Sequence, residues 1–371
     1  MHDWVVVGAG PAGLAAAAAL GERGVRPLVL EKGASVGSAW RTQRYDRLRL
    51  HTVRALSGLP GFPIPRAYGR WVARDDFVAY LEAYAGRFAI EPRFGTEVTR
   101  LEREHAGWRL ETSAGPLAAR RVVVATGYSS VPRLPDWPGR ARYRRELLHS
   151  VDYREPGPYR GRDVLVVGTG NSGAEIAVDL AEGGAARVRL AVRTPPNIVR
   201  RQRFGVPAQV VGIVLGRLPQ RALDPVGRLL RRLTIPDLAP YGLPAPRSGF
   251  TQVLRTGTIP ILDVGIVDAV RSGRVEVVAA VADLAGDGVV LADGTRIAPD
   301  AVIAATGFQP GLETLVGHLG VLDERGLPLV HGARTHPAAP GLHFAGIELT
   351  LSGLLRTAAA DARAVAHAVA S

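Results

Sequence analysis

The sequence has no cysteine among its 371 residues, and this absence excludes a group of chemistries. Disulfide bonds, thiolate metal sites and a redox-active dithiol all require a thiol, so none of them operates through the side chains of this chain. A thiol–disulfide relay is therefore excluded, and we expect no metal site.

Long apolar runs are also missing. No run approaches the roughly 18 apolar residues of a membrane-spanning helix. The apolar start of the chain contains Asp3, where a secretory signal carries basic residues. These two features predict a cytoplasmic protein.

Lysine is scarce, because Lys32 is the only one in the chain. The excess of 46 basic over 34 acidic residues, a formal charge of +12, is therefore almost entirely arginine. Such a charge raises nucleic acid or an anionic membrane as a partner. The arginines are spread along the whole chain without a nucleic-acid reader motif, so no nucleic-acid partner is expected.

The strongest motif occupies the first 31 residues. An apolar run ends at Gly8, and further glycines follow at the spacing of a dinucleotide-binding loop. In such loops the first glycine permits a tight turn, the second lets the backbone approach a pyrophosphate, and the third lets helix and strand pack closely. Glu31 would accept hydrogen bonds from the adenosine ribose. The alternative is a glycine-rich turn in an ordinary α/β sheet. The predicted cofactor contacts are Gly8, Gly10, Pro11, Ala12, Gly13, Glu31 and Lys32.

The same pattern returns 160 residues later, at residues 168–173. The strand after it ends at Arg193 instead of an acid, and a guanidinium there favours the 2′-phosphate of NADPH. The alternative is that Arg193 is one more surface arginine. Two complete folds of this kind imply two dinucleotides, so we expect FAD in the first and NADPH in the second. The predicted NADPH contacts are Gly168, Gly170, Asn171, Ser172, Gly173 and Arg193.

Three further stretches are candidates for cofactor contacts. One is an aromatic and polar loop after Lys32, in which Trp40 has core packing as its alternative role. Another is the pair of Val-rich strands that end in Ala-Thr-Gly. The third is the strand and Ala-rich helix near the C-terminus, whose N-terminal amides would face the pyrimidine end of a flavin. The candidate residues are Trp40, Arg41, Thr126, Gly127, Thr306, Gly307, Gly346, Leu351 and Ser352.

Residues 195–250 are expected to form a helical insertion in the second domain. Their apolar residues have helical spacing with arginines between them, and Pro219 and Pro225 separate two amphipathic helices. Three roles compete for this pair: a substrate lid or pocket wall, contact with a membrane surface through residues 205–235, and plain packing.

The order and intervals of these motifs resemble the class B flavin-dependent monooxygenases, and within them the YUCCA-type enzymes and their bacterial relatives. The resemblance covers nearly the whole chain. It also includes Tyr45 to His51, Ile261-Leu262-Asp263-Val264-Gly265 and Leu351-Ser352-Gly353. It implies that His51 and Thr52 belong to the FAD site, where they are the candidate catalytic residues, and we add Val98 to the predicted FAD contacts.

The family fingerprint between the two domains runs aromatic, x, Gly, three residues, His, three residues, aromatic. Tyr143, His149 and Tyr153 match it, whereas Arg145 takes the place of the glycine. His149 is either a general base or a structural histidine in a connector. The departure at Arg145 leaves open whether oxygen is transferred to nitrogen or sulfur, or to a carbonyl.

The motifs and the resemblance imply an α/β protein with two Rossmann-like dinucleotide-binding domains of the three-layer ββα type. The FAD domain would comprise residues 1–158 and 310–371, and the NADPH domain residues 159–309. The implied enzyme is an FAD-dependent, NADPH-consuming monooxygenase that inserts one oxygen atom from O2 into a small organic substrate through a flavin C4a-(hydro)peroxide. The many arginines would suit an acidic substrate. The alternatives are an NADPH-dependent flavin reductase or oxidase without oxygen insertion, and a catalytically silent nucleotide-binding module.

Overall fold

The computed structural model describes residues 1–105, 107–216, 219–246, 259–348, 350 and 352–369. Its strands are β1 (His2–Val7), β2 (Leu28–Leu30), β3 (Val98–Glu104), β4 (Gly107–Thr112), β5 (Leu117–Val124), β6 (Val131–Pro132), β7 (Glu146–His149), β8 (Asp163–Val167), β9 (Arg187–Val192), β10 (Ile198–Arg200), β11 (Gln202–Arg203), β12 (Val206–Pro207), β13 (Ile261–Asp263), β14 (Glu276–Ala279), β15 (Val281–Ala285), β16 (Gly288–Leu291), β17 (Arg296–Ile297), β18 (Ala301–Ala304), β19 (Phe308–Gln309) and β20 (Leu342–Phe344). Its α-helices are α1 (Pro11–Gly21), α2 (Ser38–Thr42), α3 (Arg74–Arg87), α4 (Asn171–Glu182), α5 (Ala208–Leu215), α6 (Gln220–Thr234), α7 (Ile266–Arg271), α8 (Glu313–Val316) and α9 (Leu354–His367).

The chain divides into two compact units. Unit 1 comprises Met1–Arg44, Leu48–Val131 and Phe308–Ser371, and unit 2 comprises Tyr45–Arg47 and Pro132–Gly307.

Unit 1 is built on a sheet whose central strands are apolar on both faces. Strand β1 lies parallel to β2 on one side and to β5 on the other, and β20 lies parallel to the second half of β5. The first half of β5 pairs antiparallel with β4, which pairs antiparallel with β3. Val6 and Val123 pack among residues of α1, α3 and α9, whereas Val5 and Val124 pack among residues of β3, β4 and α8. Because successive residues of a strand point to opposite faces, these valines fill both faces of the sheet.

Unit 2 repeats this plan with five parallel strands in the order β14-β9-β8-β18-β7. Strands β15, β16 and β17 form an antiparallel meander, and Leu284 and Val289 of this meander pack against Leu165 and Val302 of the sheet. Helix α4 packs against β8 and β9. Helix, parallel sheet and antiparallel strands form three layers in each unit, which confirms the predicted fold class.

The boundary between the units lies at Val131, not at residue 158 as the sequence suggested. Strand β7 pairs with β18 in the sheet of unit 2, with Glu146 opposite Ala301, and this pairing places residues 132–158 in unit 2. The short segment Tyr45–Arg47 also belongs to unit 2. There the Tyr45 hydroxyl donates to the buried Glu175 carboxylate over 2.8 Å, and the Arg47 guanidinium pairs with Asp179 at 3.3 Å.

The insertion contains the two expected helices, α5 and α6, but Pro225 does not separate them. It lies inside α6, whose N-cap is Pro219. A proline in the second turn removes only one backbone hydrogen bond, and burial of the neighbouring Leu223 and Gly227 holds the helix in place. Within the described part of the chain, no helix has both the length and the apolarity needed to cross a membrane.

Candidate functional site

The first glycine loop (residues 8–13) joins β1 to α1. Gly8 has φ +108°, and a Cβ atom there would lie 2.7 Å from the Ala125 carbonyl oxygen. A Cβ atom at Gly13 would lie 1.8 Å from the Gly8 oxygen. Helix α1 can therefore pack directly against the loop only because Gly13 has no side chain. Gly10, the N-cap of α1, has no atom of the described residues within 4 Å of its Cβ position other than those of its chain neighbours. Two glycines are therefore required by the protein's own packing, whereas Gly10 faces open space beside the backbone N–H groups of Ala12 and Gly13.

The second glycine loop (residues 168–173) has the same geometry in unit 2. Gly168 has φ +115°, and its Cβ position lies 2.4 Å from the Ala305 carbonyl oxygen. The Cβ position of Gly173 lies 2.0 Å from the Gly168 oxygen, and Gly170 again faces open space at the N-cap of α4. In each loop, a helix N-terminus thus lies beside open space at the middle glycine, which is the arrangement that accepts a pyrophosphate.

Asn171 and Ser172 lie in the first turn of α4. The Asn171 side chain is used within the protein, because its Oδ1 accepts from the Leu262 amide at 2.7 Å and its Nδ2 donates to the Pro260 carbonyl at 3.4 Å. The side chain therefore anchors β13 to the second glycine loop, and its backbone amide stays a predicted phosphate contact.

The residue after the second strand differs between the units. Glu31, after β2, is 9% exposed, and its carboxylate accepts from the amides of Ala9 at 2.7 Å and Gly33 at 2.8 Å. These bonds fix the carboxylate beside the first glycine loop and leave lone pairs on both oxygens for a ribose.

Arg193, directly after β9, is exposed and makes no ion pair among the described residues. It lines an open cleft of about 930 Å³ that Pro195, Thr295 and Arg296 also line. Thr169 ties the second glycine loop to this segment through a hydrogen bond from its hydroxyl to the Thr194 carbonyl, at 3.3 Å. The backbone next to Arg193 is thus tied to the second glycine loop. A contact of the Arg193 guanidinium with a 2′-phosphate stays a prediction.

The two Ala-Thr-Gly turns are alike in backbone and different in side-chain bonding. Gly127 and Gly307 both have positive φ, +84° and +88°. Thr306 donates its hydroxyl to the Arg133 carbonyl. The Thr126 hydroxyl is buried and has no hydrogen-bond partner in the described ranges. An orphaned hydroxyl next to Gly8 fits a site that a ligand completes.

Four further residues predicted to contact FAD make contacts within the protein. Trp40 packs edge-on against Phe77, with ring centroids 4.6 Å apart, so core packing accounts for much of its surface. Arg41 pairs with Glu82, and Lys32 lies 3.9 Å from Glu97, both at exposed positions. Val98 begins β3 and packs against the core of unit 1. Nothing in these contacts requires a cofactor, and the four residues stay predicted FAD contacts.

His51 and Thr52 are half-buried in unit 1. The Thr52 hydroxyl lies 2.7 Å from the hydroxyl of Ser57, which donates to the Val53 carbonyl at 2.8 Å. This chain of hydroxyls holds Thr52 in one orientation. The catalytic role of both residues stays a prediction.

Gly346 lies where α1 and α9 meet. It has φ +69°, and its Cβ position is 2.5 Å from the Ala12 Cβ. Its amide donates to Asp361 of α9 at 2.9 Å, and Ser352 lies 2.8 Å from the Thr350 hydroxyl just before this helix. Leu351 lies outside the described residues.

Sequence reasoning missed Asp361. Burial raises the pKa of its carboxyl above the ordinary value, against the opposing effect of the Gly346 hydrogen bond. The signal in the sequence was an acid within an Ala-rich helix, because an acid that such a helix buries needs a polar partner.

The structure assigns His149 a structural role. Its Nε2 donates to the Gly307 carbonyl at 3.0 Å, and its Nδ1 accepts from the Val151 amide at 3.1 Å. Because a carbonyl can only accept, Nε2 carries the proton of the neutral ring. His149 thus holds the second Ala-Thr-Gly turn. In the same fingerprint, Tyr153 donates to Asp179 at 2.8 Å, and Arg145 pairs with Asp300 at 3.0 Å.

The protonation of His149 makes the free energy of unfolding depend on pH. Burial lowers the pKa of His149 below its ordinary value of 6.5. The unfolded chain therefore binds a proton at a higher pH than the folded chain does, and stability falls as the pH drops below about 6.5 through the lower, folded pKa. We expect His149→Gln, whose amide can still donate to Gly307, to flatten this part of the curve of thermal midpoint against pH. A variant with the wild-type slope between pH 7.5 and 5 would contradict this assignment.

The fold and the two glycine loops define a protein with two Rossmann-like dinucleotide-binding domains. The sequence matches the pyridine nucleotide-disulphide oxidoreductase family over residues 5–207. It is 38% identical to indole-3-pyruvate monooxygenase YUCCA1 of Oryza sativa subsp. japonica, over 95% of this chain and 88% of that protein. The chain belongs to this family and, within it, to the YUCCA-type flavin monooxygenases.

Solved structures agree with this assignment. The flavin-containing monooxygenase from Stenotrophomonas maltophilia is 26% identical, with a TM-score of 0.73 and full coverage of both chains. OTEMO, solved in complex with FAD and NADP, is 20% identical, with a TM-score of 0.76 over 100% of this chain and 84% of that one, and supports the fold alone.

The protein is therefore an FAD-dependent, NADPH-consuming monooxygenase that uses O2 as co-substrate and acts on a small molecule. The disulphide chemistry in the broader family's name has no counterpart in its side chains, because the chain has no cysteine.

Proposed function

We propose that the substrate is a 2-oxo acid, which the enzyme converts to the carboxylic acid one carbon shorter. In this reaction the bond between the two carbonyl carbons breaks and CO2 leaves. One atom of O2 enters the acid product, the other leaves as water, and NADPH supplies two electrons. The 38% identity with an indole-3-pyruvate monooxygenase over 95% of the chain carries this proposal. We place the reaction in the cytoplasm, the location expected from the sequence.

The proposal assigns FAD to unit 1 and NADPH to unit 2. Two features of unit 1 fit FAD: the open space at Gly10, and the orphaned Thr126 hydroxyl beside the same loop. Arg193, whose guanidinium pairs with no acid among the described residues, fits a nucleotide with a 2′-phosphate. Bound FAD supplies hydride acceptance and oxygen activation, which no side chain of this protein can supply.

The chain's own residues bind and orient. The first-turn amides of α1 and α4 hold the two pyrophosphates, and Glu31 holds an adenosine ribose. Asp361 fixes the Gly346 turn through its amide, and His149 fixes the Gly307 turn through its carbonyl. Thr52, oriented by Ser57, offers a hydroxyl in the FAD site.

A product analysis tests the proposal. Purified protein with FAD, NADPH and 18O2 is given indole-3-pyruvate, and the acid product and CO2 are measured. We expect one CO2, one NADPH oxidised and one 18O atom in the acid per turnover. The same assay with indole-3-acetate, which lacks the 2-oxo group, is the control and should show no CO2. Oxidation of NADPH that yields only hydrogen peroxide across a panel of 2-oxo acids would contradict the proposal.

A further inference from the structure

Exposed apolar side chains are concentrated in the insertion of unit 2. Seven of the thirteen large hydrophobic residues that are exposed in the described ranges lie between residues 204 and 233. Phe204 is 90% exposed, Leu233 62% and Leu229 58%. Single exposed apolar residues are normal on a protein surface, but a cluster of this kind marks a contact site.

Helix α6 shows that this exposure is built into the fold. Leu223 and Gly227, one turn apart, are buried and attach the helix to unit 2. Leu229, Leu230 and Leu233 lie on a neighbouring stripe and are exposed. Arg231 is half-buried instead, and burial lowers the pKa of its guanidinium. A helix that served packing alone would bury the leucines and expose this arginine.

The hairpin β11–β12 adds an aromatic side chain to the same surface. Its tip residue Phe204 has φ +47°, a conformation that bulky side chains rarely adopt. The Arg203 guanidinium lies 4.9 Å from the centre of the Phe204 ring. The same guanidinium donates to the Leu233 carbonyl at 2.8 Å. One arginine therefore holds the tip of the hairpin beside the end of α6. We call Phe204, Leu229, Leu230 and Leu233 the apolar face.

The segment that carries the apolar face is almost all positive in charge. Residues 201–234 contain seven arginines and one acid, Asp224. Arg228 and Arg232, one turn apart, are exposed on α6, and Arg232 lies three residues from Leu229, so these arginines border the leucine stripe. Two-fold pairing of this surface with a second copy would bring the arginines of both copies together. Leucines and an aromatic ring bordered by arginines fit the headgroup region of an anionic bilayer, where the apolar groups enter and the guanidiniums meet phosphate.

We propose that the apolar face docks the enzyme peripherally on membranes that contain anionic phospholipid. The helix and the hairpin lie on the bilayer without crossing it. This inference does not depend on which substrate the enzyme takes.

Co-sedimentation of the full-length, FAD-loaded protein tests the proposal. The vesicles are phosphatidylcholine alone or phosphatidylcholine mixed with phosphatidylglycerol, and flavin absorbance reports the bound fraction. We expect binding to the mixed vesicles that weakens as salt is added. Leu229→Ser/Leu233→Ser should weaken it roughly tenfold by removing inserted apolar area. Arg228→Gln/Arg232→Gln should also weaken it roughly tenfold by removing two charges at the surface.

Matched variants elsewhere serve as controls. Leu329→Ser changes a leucine that is 49% exposed in unit 1, and Arg66→Gln/Arg271→Gln removes two exposed arginines outside the insertion. These variants should bind like the wild type. Flavin content and thermal midpoint of every variant show whether it is folded.

Three results would overturn the proposal. The first is no binding to mixed vesicles. The second is binding that Leu229→Ser/Leu233→Ser leaves unchanged. The third is a dimer in lipid-free sedimentation velocity that the same double variant dissociates, because the apolar face would then be covered by a second copy.

Discussion

Gly10→Val should give a folded protein that purifies without FAD. Apart from its chain neighbours, the Cβ position of Gly10 meets no atom of the described residues within 4 Å, and the backbone there, with φ −80°, suits any residue. The valine therefore costs the apoprotein little, within about 1 kcal/mol for a poorer N-cap. The space it fills is the space the pyrophosphate needs, so FAD affinity should fall on the order of a hundredfold. Flavin absorbance, FAD titration and thermal melting of the apoprotein measure these effects.

Other glycines of the same kind give matched controls. Gly21, the last residue of α1, also has open space at its Cβ position, so Gly21→Val should keep FAD. Gly170→Val should keep FAD and lose reduction by NADPH, while dithionite still bleaches the flavin. Gly13→Ala differs from all three, because its Cβ would lie 1.8 Å from the Gly8 oxygen and the fold itself should suffer. A yellow Gly10→Val protein with full FAD content would refute the assignment of the first loop.

Arg193→Ser should remove most of the preference for NADPH over NADH. A charge-assisted, bidentate contact with the 2′-phosphate contributes about 1.5–3 kcal/mol, which corresponds to about 10- to 150-fold in kcat/KM for NADPH. NADH has no such phosphate, so its kcat/KM should stay nearly constant. Rates of flavin reduction with each nucleotide, measured under anaerobic conditions, separate this effect from the oxygen reaction.

Arg271→Ser is the control, because Arg271 is exposed in unit 2 and does not line the cleft that contains Arg193. It should leave both nucleotides unaffected. If Arg193→Ser lowers the rates with NADPH and NADH equally, Arg193 does not contact the 2′-phosphate. Because Arg296 lines the same cleft, Arg296→Ser then shows whether the phosphate is held there instead.

The glycine loops could be predicted from the sequence because their constraints are local. Strand, turn and helix lie within about 20 residues of each other, and the spacing alone requires the absence of side chains at Gly8 and Gly13. The atoms that enforce Gly8 and Gly168 could not be predicted. They are the carbonyls of Ala125 and Ala305, which directly follow β5 and β18, more than 100 residues further along the chain.

Other differences have the same origin in long-range contacts. Strand β7 is short and lies in a segment rich in proline and arginine, so only its pairing with β18 shows that it belongs to unit 2. Pro225 is a poor helix residue in isolation, and burial of its neighbours outweighs that preference. The role of His149 depended on a carbonyl 158 residues away.

The segment Tyr45–Arg47 limits how this protein can be divided. A gene fragment for residues 132–307 would contain every strand of the five-stranded sheet, yet it would lack the donor hydroxyl of Tyr45 and the cation of Arg47. Glu175 and Asp179 would each lose a hydrogen-bond donor or counter-ion on a face of α4 that is buried in the native protein. Unit 2 is therefore not a transferable module, and chimaeras that exchange it between relatives must take these three residues with it.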